Sequence, residues 1–325
     1  MISPILESLQ VLDIPDSEYF GEKYRDYISN SKLRLINPDE GGSPELWKQG
    51  LQPSYSDAFL LGSAVHGSIL QPDDYIIPES VDRPTGKAGF MADELYEVYK
   101  SKGVVDKEDI EQASSKIGYY KNKLTTKRIE ELLDKCNPYF KQRDLFNSDK
   151  EPIFLSSRAK ETLNSCLKNV SSCNPILETL KPVGILKNPD SFNELTILLE
   201  VVLHHLNKTA QLKLKGKLDN FTIDYETGTI TLNDVKTTGH QLDEFKKDSF
   251  FRFHYYRQLA MYGWMLSIAN KVVYKIPNPT FKCNLLLIST IPPYDCDVYP
   301  ISNKLIDKGL KEFTNLLYRV CECTD

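Results

Sequence analysis

The sequence predicts an α/β fold, and three observations support this fold class. Residues 212–223 alternate apolar and polar side chains, which is typical of a strand with one buried face. Residues 230–236 resume a strand-like run after a turn signal, so the two segments are predicted to form an antiparallel hairpin. Apolar residues at helical spacing recur elsewhere, as over 302–323. A chain of 325 residues can bury a substantial core around such a sheet.

The predicted elements before the hairpin follow the chain in order. An N-terminal arm over 1–55 precedes a helix over 56–70, which ends at a Gln-Pro pair because the residue before proline avoids the helical conformation. Residues 82–89 form a polar loop, in which Arg83 and Lys87 are candidate phosphate contacts. Helices are then predicted over 93–102, 107–116, 124–136 and 159–170, which make 90–185 a mainly helical insertion.

The segment 191–206 is compatible with two structures. Ser191 and Glu194 form a capping-box pattern before an apolar run with helical spacing. The β-branched residues in the same run favour a strand instead. Beyond the hairpin, we expect a helix over 249–268, β-rich runs over 272–276 and 284–289, and an amphipathic helix over 302–323.

The hairpin combines acidic residues and a lysine on one face. Asp234 and Lys236 lie two residues apart on the second strand, so their side chains point the same way. If Asp224 pairs with Thr229 across the turn, Asp219 lies opposite Asp234, and two carboxylates meet an ammonium group. Clustered carboxylates suit Mg²⁺ or Mn²⁺, which can support hydrolysis of a phosphodiester bond. An Asp-x-Lys triplet alone is more often a surface ion pair.

Several segments together resemble the PD-(D/E)XK nuclease superfamily, and within it the branch of exodeoxyribonuclease VIII and related phage and bacterial recombination exonucleases. The resemblance is carried by Gly216-x-x-Asp219, by Asp234-x-Lys236-Thr-Thr, and by Gln258-x-x-x-Tyr262. Leu218 stands where the superfamily motif has proline. The resemblance implies a restriction-endonuclease-like mixed sheet flanked by helices, with a helical insertion. It also implies that Asp219, Asp234 and Lys236 form the catalytic centre with Gln258 and Tyr262.

The resemblance extends to the metal ligands. The segment around His66 resembles the family's Gly-x-Ala-x-His motif, in which the histidine helps to hold a metal. The family core also favours a strand over the ambiguous segment and places a further acidic ligand at Glu194. Glu200 remains an alternative, because it has the same strand parity. With Asp219, Asp234 and the carbonyl of Val235, these residues would hold one or two Mg²⁺ or Mn²⁺ ions.

The charge of the chain limits how it could bind nucleic acid. A net charge of −5 argues against binding through bulk electrostatics, so any DNA contact must be local. Lys213, Lys215 and Lys217 beside Asp219 are the predicted patch. The resemblance implies an exonuclease that acts on duplex ends in recombination or repair of phage or bacterial DNA. The alternatives are a structure-specific endonuclease and a non-catalytic DNA-end-binding protein.

The remaining expectations concern partners, location and domain organisation. The resemblance suggests a single-strand annealing recombinase as a partner, and a homo-oligomer. No apolar run is long enough to span a bilayer and no secretory signal pattern occurs, so a cytoplasmic protein is expected, in the host cytoplasm if phage-encoded. Seven scattered cysteines favour reduced thiols. We expect one nuclease domain over 1–325, with the catalytic core and C-terminal helix over 186–325.

Overall fold

A computed structural model of the chain describes residues 4–51, 55–119, 125–180 and 191–323. It divides into two compact units: unit 1 comprises Met1–Gln52 and Val170–Asp325, and unit 2 comprises Pro53–Asn169. The predicted boundary between the helical insertion and the catalytic core, at residues 185 and 186, lies outside the described residues. The domain limits drawn from the sequence therefore stay predictions.

The strands build a mixed sheet in unit 1. In chain order the strands are β1 (Ile5–Leu12), β2 (Tyr75–Ile76), β3 (Glu151–Pro152), β4 (Ser191–His205), β5 (Lys208–Asp224), β6 (Thr229–Thr238), β7 (Thr280–Ser289) and β8 (Cys296–Ile301). The sheet of unit 1 has the order β1-β4-β5-β6-β7-β8, and β2 pairs with β3 in unit 2. Within the six-stranded sheet β6 and β7 are parallel and the other pairs are antiparallel. The predicted mixed α/β architecture is confirmed.

The described residues also form thirteen α-helices. In chain order they are α1 (Asp16–Tyr19), α2 (Asn30–Leu33), α3 (Pro44–Gln49), α4 (Asp57–Leu70), α5 (Lys87–Lys102), α6 (Lys107–Ile117), α7 (Thr126–Leu145), α8 (Ser157–Val170), α9 (Asn174–Leu180), α10 (Leu242–Lys247), α11 (Ser249–Arg252), α12 (Tyr255–Ala269) and α13 (Asn303–Cys323). Through the described ranges, none of these helices has the length and apolar composition needed to cross a bilayer. Leu124, predicted to begin the third helix of the insertion, lies outside those ranges.

The ambiguous segment is a strand, as the family core favoured. β4 lies between β1 and β5 and pairs with both. Its apolar side chains Ile197, Leu199, Val201 and Leu203 are at most 3% exposed and belong to the main core of unit 1. Sheet pairing on both edges satisfies the backbone donors and acceptors of a segment that is buried. Long-range pairing therefore decides against the local helix signals.

The predicted helix over 249–268 is wrong at its beginning. α11 ends at Arg252 and α12 begins at Tyr255, with His254 between them at a φ of 51°. A positive φ cannot continue a right-handed helix. The Nδ1 atom of His254 lies 2.6 Å from the carboxylate of Glu312 on α13. This contact holds the histidine at the break.

The strand predicted over 272–276 is also wrong. Residues Asn270–Tyr274 form a π-helical turn that continues α12. The side-chain amide of Asn270 donates to the carbonyl of Ile276 and accepts its backbone N–H, both at 3.0 Å. A side chain thus satisfies backbone groups that a strand partner would otherwise satisfy, and β7 begins only at Thr280.

The hairpin has the predicted turn register. Pairing between β5 and β6 begins at Asp224 with Thr229 and continues to Asn220 with Asn233. The ladder ends at that pair, and the carboxylate of Asp219 then accepts the backbone N–H of Val235 at 2.7 Å. At the acidic residues a side chain therefore replaces the backbone ladder as the connection between the two strands.

Candidate active site

Three neighbouring strands contribute one carboxylate each at adjacent positions of the sheet. The ladder between β4 and β5 is paired on both sides of Glu194 and Asp219, so these two residues lie side by side. One carboxylate oxygen of each lies within 4.8 Å of the other. On β6, the Oδ2 atom of Asp234 lies 2.6 Å from the Nζ atom of Lys236. The two acids and the lysine of the hairpin thus meet a third acid from β4.

Helix α12 supports this group from one side. The side-chain amide of Gln258 donates to Oδ1 of Asp234 at 3.2 Å and to the hydroxyl of Tyr262 at 3.3 Å. The ammonium group of Lys236 also donates to the carbonyl of Val235 at 3.3 Å. The structure therefore brings the predicted catalytic residues into one connected group, while their catalytic roles stay predictions.

A row of asparagines lies one residue away from the acids along each of the three strands. The amide of Asn220 donates to Asn193 at 2.7 Å, and that of Asn233 donates to Asn220 at the same distance. The row continues to β7, where Asn284 donates to Asn233 at 2.9 Å. Because each amide is bonded to the next, the row holds four strands in one register. The same register aligns the three acids.

The electrostatics of the acids favour a cation. Glu194 is 9% exposed, Asp219 8% and Asp234 1%. Burial raises the pKa of Glu194 to about 8, and the charge of Asp219 contributes, against the opposing charge of Lys217. Burial likewise raises the pKa of Asp219, although Lys236 opposes this shift. A divalent cation would favour the ionised acids, and closely spaced carboxylate oxygens are the donors that Mg²⁺ and Mn²⁺ prefer.

Lys236 is a positive charge in this group rather than a base. Burial lowers its pKa, but the carboxylates of Asp234 and Asp219 outweigh burial and hold the pKa above its ordinary value. The lysine is therefore protonated at neutral pH and can only donate hydrogen bonds. Burial also raises the pKa of Tyr262 well above its ordinary value, so its hydroxyl stays neutral.

Glu194, rather than Glu200, lies beside Asp219. Glu200 is six residues further along β4, about 20 Å away at 3.3 Å per residue. Its carboxylate lies 3.4 Å from the ammonium group of Lys213 and accepts a hydrogen bond of 3.4 Å from Tyr27. The structure therefore separates two residues that strand parity left equivalent.

The predicted lysine patch on β5 does not form an open surface. Lys215 is 7% exposed and donates to the carbonyl of Tyr19 at 2.8 Å. Lys217 is 8% exposed, forms an ion pair with Asp16 and lies 3.4 Å from Glu194. Both side chains lie against α1 and their charges already have protein partners, while a DNA contact by these two lysines stays a prediction. The side chain of Lys213 is half exposed, and its contact with DNA stays a prediction.

Unit 2 contains the other predicted residues. Arg83 is 3% exposed, and its guanidinium group lies 2.9 Å from Asp93 and 3.3 Å from Asp57, so its charge already has two protein partners and its phosphate contact stays a prediction. Lys87 belongs to α5 rather than to a loop and donates to the carbonyl of Gly118 at 2.6 Å. Its contact with DNA stays a prediction. His66 lies on α4 and is partly buried, and its role as a ligand also stays a prediction.

Sequence reasoning missed three residues next to the acids. Asp16 and Tyr19 on α1 contact the lysines of β5, and no pattern in the arm connects them to a strand 200 residues away. Tyr255 on α12 could have been identified from the sequence. Its ring lies 5.6 Å from the Nζ atom of Lys236, and it precedes Gln258 by three residues, which places both on one side of the helix.

Comparisons with known proteins add little. No protein-family model matches the chain, and no curated protein matches it. Among solved structures the chain is similar to a "Putative exonuclease" from Eubacterium rectale, with a TM-score of 0.49 and 11% identity, over 97% of this chain and 89% of that chain. At this TM-score and sequence identity, the similarity supports no inference about activity.

Proposed function

We propose that this protein is a divalent-metal-dependent deoxyribonuclease that hydrolyses phosphodiester bonds as an exonuclease at duplex ends. The observation that carries the proposal is the convergence of Glu194, Asp219, Asp234 and Lys236 on three adjacent strands. The resemblance of the motifs to the exodeoxyribonuclease VIII branch supports the choice of DNA ends as the substrate. It alone suggests a role in recombination or repair of phage or bacterial DNA, an annealing recombinase partner and a homo-oligomer.

The acids would hold the metal. Glu194, Asp219 and Asp234 would bind one or two Mg²⁺ or Mn²⁺ ions, with the carbonyl of Val235 as a further oxygen donor. When bound, such an ion lowers the pKa of water and polarises the scissile phosphate. The backbone N–H of Val235 restrains one oxygen of Asp219. The carboxylate can thus keep its orientation before a substrate arrives.

The lysine and the helix residues act on the phosphate and on the acids. The protonated Lys236 donates to the attacking water or to a phosphate oxygen and offsets the negative charge that develops at phosphorus. Gln258 orients Asp234 through its hydrogen bond to Oδ1, and Tyr262 accepts from the same amide and restrains it. Both act as positioning residues, because Gln258 contacts Asp234 and Tyr262 contacts Gln258.

The test is a time course on linear duplexes labelled at the 5′ or the 3′ end, with Mg²⁺ or with EDTA. We expect progressive shortening with Mg²⁺ and none with EDTA. Covalently closed circular DNA of the same sequence separates the two catalytic alternatives. An exonuclease spares the circle, whereas a structure-specific endonuclease cuts any circle that carries its target structure.

A matched pair of lysine variants tests the catalytic group. Lys236→Gln is expected to lower the rate about 10²- to 10³-fold, because a preorganised donor at the phosphate is lost. Lys282→Gln removes an exposed lysine from the neighbouring strand β7 and should leave the rate unchanged. If the wild type binds duplex ends but never shortens them with Mg²⁺, the non-catalytic end-binding alternative replaces the proposal.

A further inference from the structure

An aromatic side chain is exposed to solvent at the break between α11 and α12. The ring of Phe253 is 50% exposed, whereas Phe245 and Phe250 in the same stretch are 2% and 7% exposed. A large exposed aromatic group beside a functional site is informative, because such groups contribute most of their stabilisation when they are covered. A ligand that covers the ring of Phe253 would therefore gain stabilisation from the contact.

Phe253 is connected to the candidate active site by two contacts. Its ring centroid lies 6.0 Å from the ring of Tyr255, and the Nζ atom of Lys236 lies 5.6 Å from the ring of Tyr255. The same ammonium group lies 2.6 Å from Asp234. One stacked DNA strand rises about 3.4 Å per nucleotide, so Phe253 lies within a few nucleotides of a phosphate held at Lys236.

A positively charged side chain lies beside the exposed ring. The guanidinium carbon of Arg252 lies 5.5 Å from the ring centroid of Phe253, and Arg252 is itself exposed. A ring with an adjacent cation matches the chemistry of a single nucleic-acid strand, whose bases stack on aromatic faces while its phosphates pair with positive groups. An apolar protein surface would leave the arginine without a matching charge.

We propose that Phe253 is a stacking platform for an unpaired base of the DNA strand that reaches the candidate active site, with Arg252 on a neighbouring phosphate. The inference rests on the proposed function and adds to it that the substrate is single-stranded where it enters the site. Stacking suits this task because every base has a π face, so the contact tolerates any sequence.

Phe251 provides a matched control. It is 45% exposed and only two residues away, but its ring lies 5.4 Å from the Nζ atom of Lys308 on α13 and 6.0 Å from the ring of Tyr256. These contacts connect it to Lys308 of α13 and to Tyr256 of α12 rather than to Lys236. A general effect of removing an exposed phenylalanine from this segment should appear equally at both positions.

The experiment measures binding of a single-stranded oligodeoxynucleotide that carries 2-aminopurine near its end. The full chain with Asp234→Asn is used with Mg²⁺, so that the probe is not degraded. Stacking should quench the fluorescence of the probe, and Phe253→Leu in this background should weaken binding about tenfold and reduce the quenching. Phe253→Tyr should retain both, and Phe251→Leu should change neither.

The outcomes separate this inference from the proposed function. Equal affinity and quenching in the parent and in Phe253→Leu would overturn the stacking platform, as would the absence of any binding. Ring-dependent quenching by a wild type that never hydrolyses DNA would refute the nuclease and support the platform. Normal hydrolysis with the same KM for single-stranded ends in wild type and Phe253→Leu would refute the platform alone.

Discussion

At the scale of single residues, two acidic clusters in unit 1 differ in what neutralises them. Ligand atoms of Glu40 and Glu312 lie as close together as those of Glu194 and Asp219, within 4.8 Å. Arg257, 1% exposed, forms ion pairs with both Glu40 and Glu312. The first cluster thus contains its own buried guanidinium partner. Glu194 has Lys217 at 3.4 Å, yet burial still raises the pKa of both Glu194 and Asp219, so a divalent cation would stabilise their ionised forms.

The two candidate glutamates can be separated by experiment. Glu194→Gln removes a carboxyl ligand beside Asp219 and should lower Mn²⁺ affinity by at least about tenfold, together with Mg²⁺-dependent hydrolysis. Glu200→Gln changes the same group on the same strand and should leave both unchanged, because its carboxylate belongs to the contact with Lys213. Isothermal titration calorimetry with Mn²⁺ measures the first effect without DNA. Equal losses in both variants would contradict the assignment.

The buried arginine should matter for stability rather than for metal binding. Arg257→Met leaves two carboxylates without their shared cation, and removing one partner of a buried ion pair typically costs about 3–5 kcal/mol. We expect a loss of that order in the free energy of unfolding, measured by urea denaturation. Arg25→Met breaks an ion pair whose side chains are 71% and 81% exposed, and it should change little. A small effect of Arg257→Met would show that its network is not strongly coupled to folding.

At the scale of elements, helix α12 approaches both the sheet and α13 at glycines. A Cβ atom at Gly216 on β5 would lie 3.0 Å from a ring carbon of Tyr262 and 3.1 Å from the sulfur of Met265. The glycine of the Gly-x-x-Asp motif therefore makes room for the tyrosine of the Gln-x-x-x-Tyr motif. Two motifs that are far apart in the sequence therefore pack directly against each other.

Alanine substitutions at two glycines of α12 and α13 are expected to have opposite effects on stability. A Cβ atom at Gly309 on α13 would lie 2.2 Å from the backbone oxygen of Tyr256, so Gly309→Ala should force the helices apart and cost about 1–3 kcal/mol of stability. Gly263→Ala on α12 meets no atom within 4 Å and should stabilise the protein by up to about 1 kcal/mol. Thermal and urea unfolding measure both. Similar changes in the two variants would mean that α12 and α13 are not so closely packed.

At the scale of the whole molecule, each unit has its own hydrophobic core. The core of unit 1 includes Leu214, Leu218 and Phe221 of the hairpin, and that of unit 2 includes Leu95 and Tyr139. The strands that carry the acids are therefore also central to the folding of unit 1. A ligand that binds these acids only in the folded state should stabilise the protein by mass action.

Metal binding should consequently raise the melting temperature. At Mn²⁺ concentrations about 100-fold above the dissociation constant, the expected stabilisation is about 2.7 kcal/mol, which corresponds to a shift of a few degrees for a chain of this size. EDTA should reverse the shift, and Asp219→Asn should abolish it. Differential scanning calorimetry of the full chain measures both. A shift that survives in Asp219→Asn would place the stabilising ion elsewhere.

Several parts of the fold and candidate site were predictable because they depend on local patterns. The hairpin was predictable from strand alternation and from the turn residues, and the observed pairing of Asp224 with Thr229 meets the condition for Asp219 to lie opposite Asp234. The grouping of Asp234 with Lys236 follows from the two-residue period of a strand. The break at His254 was not predictable, since it depends on Glu312, almost 60 residues away on another helix.

By itself, the sequence determined the hairpin and the acids and lysine that it carries, because each depends on neighbours within about 20 residues. Only the tertiary structure decided that Glu194 joins these acids, that α1 covers Lys215 and Lys217, and that an asparagine row aligns the strands. The physical reason is that burial and charge pairing depend on which distant segments meet, and strand parity or composition carries no information about that.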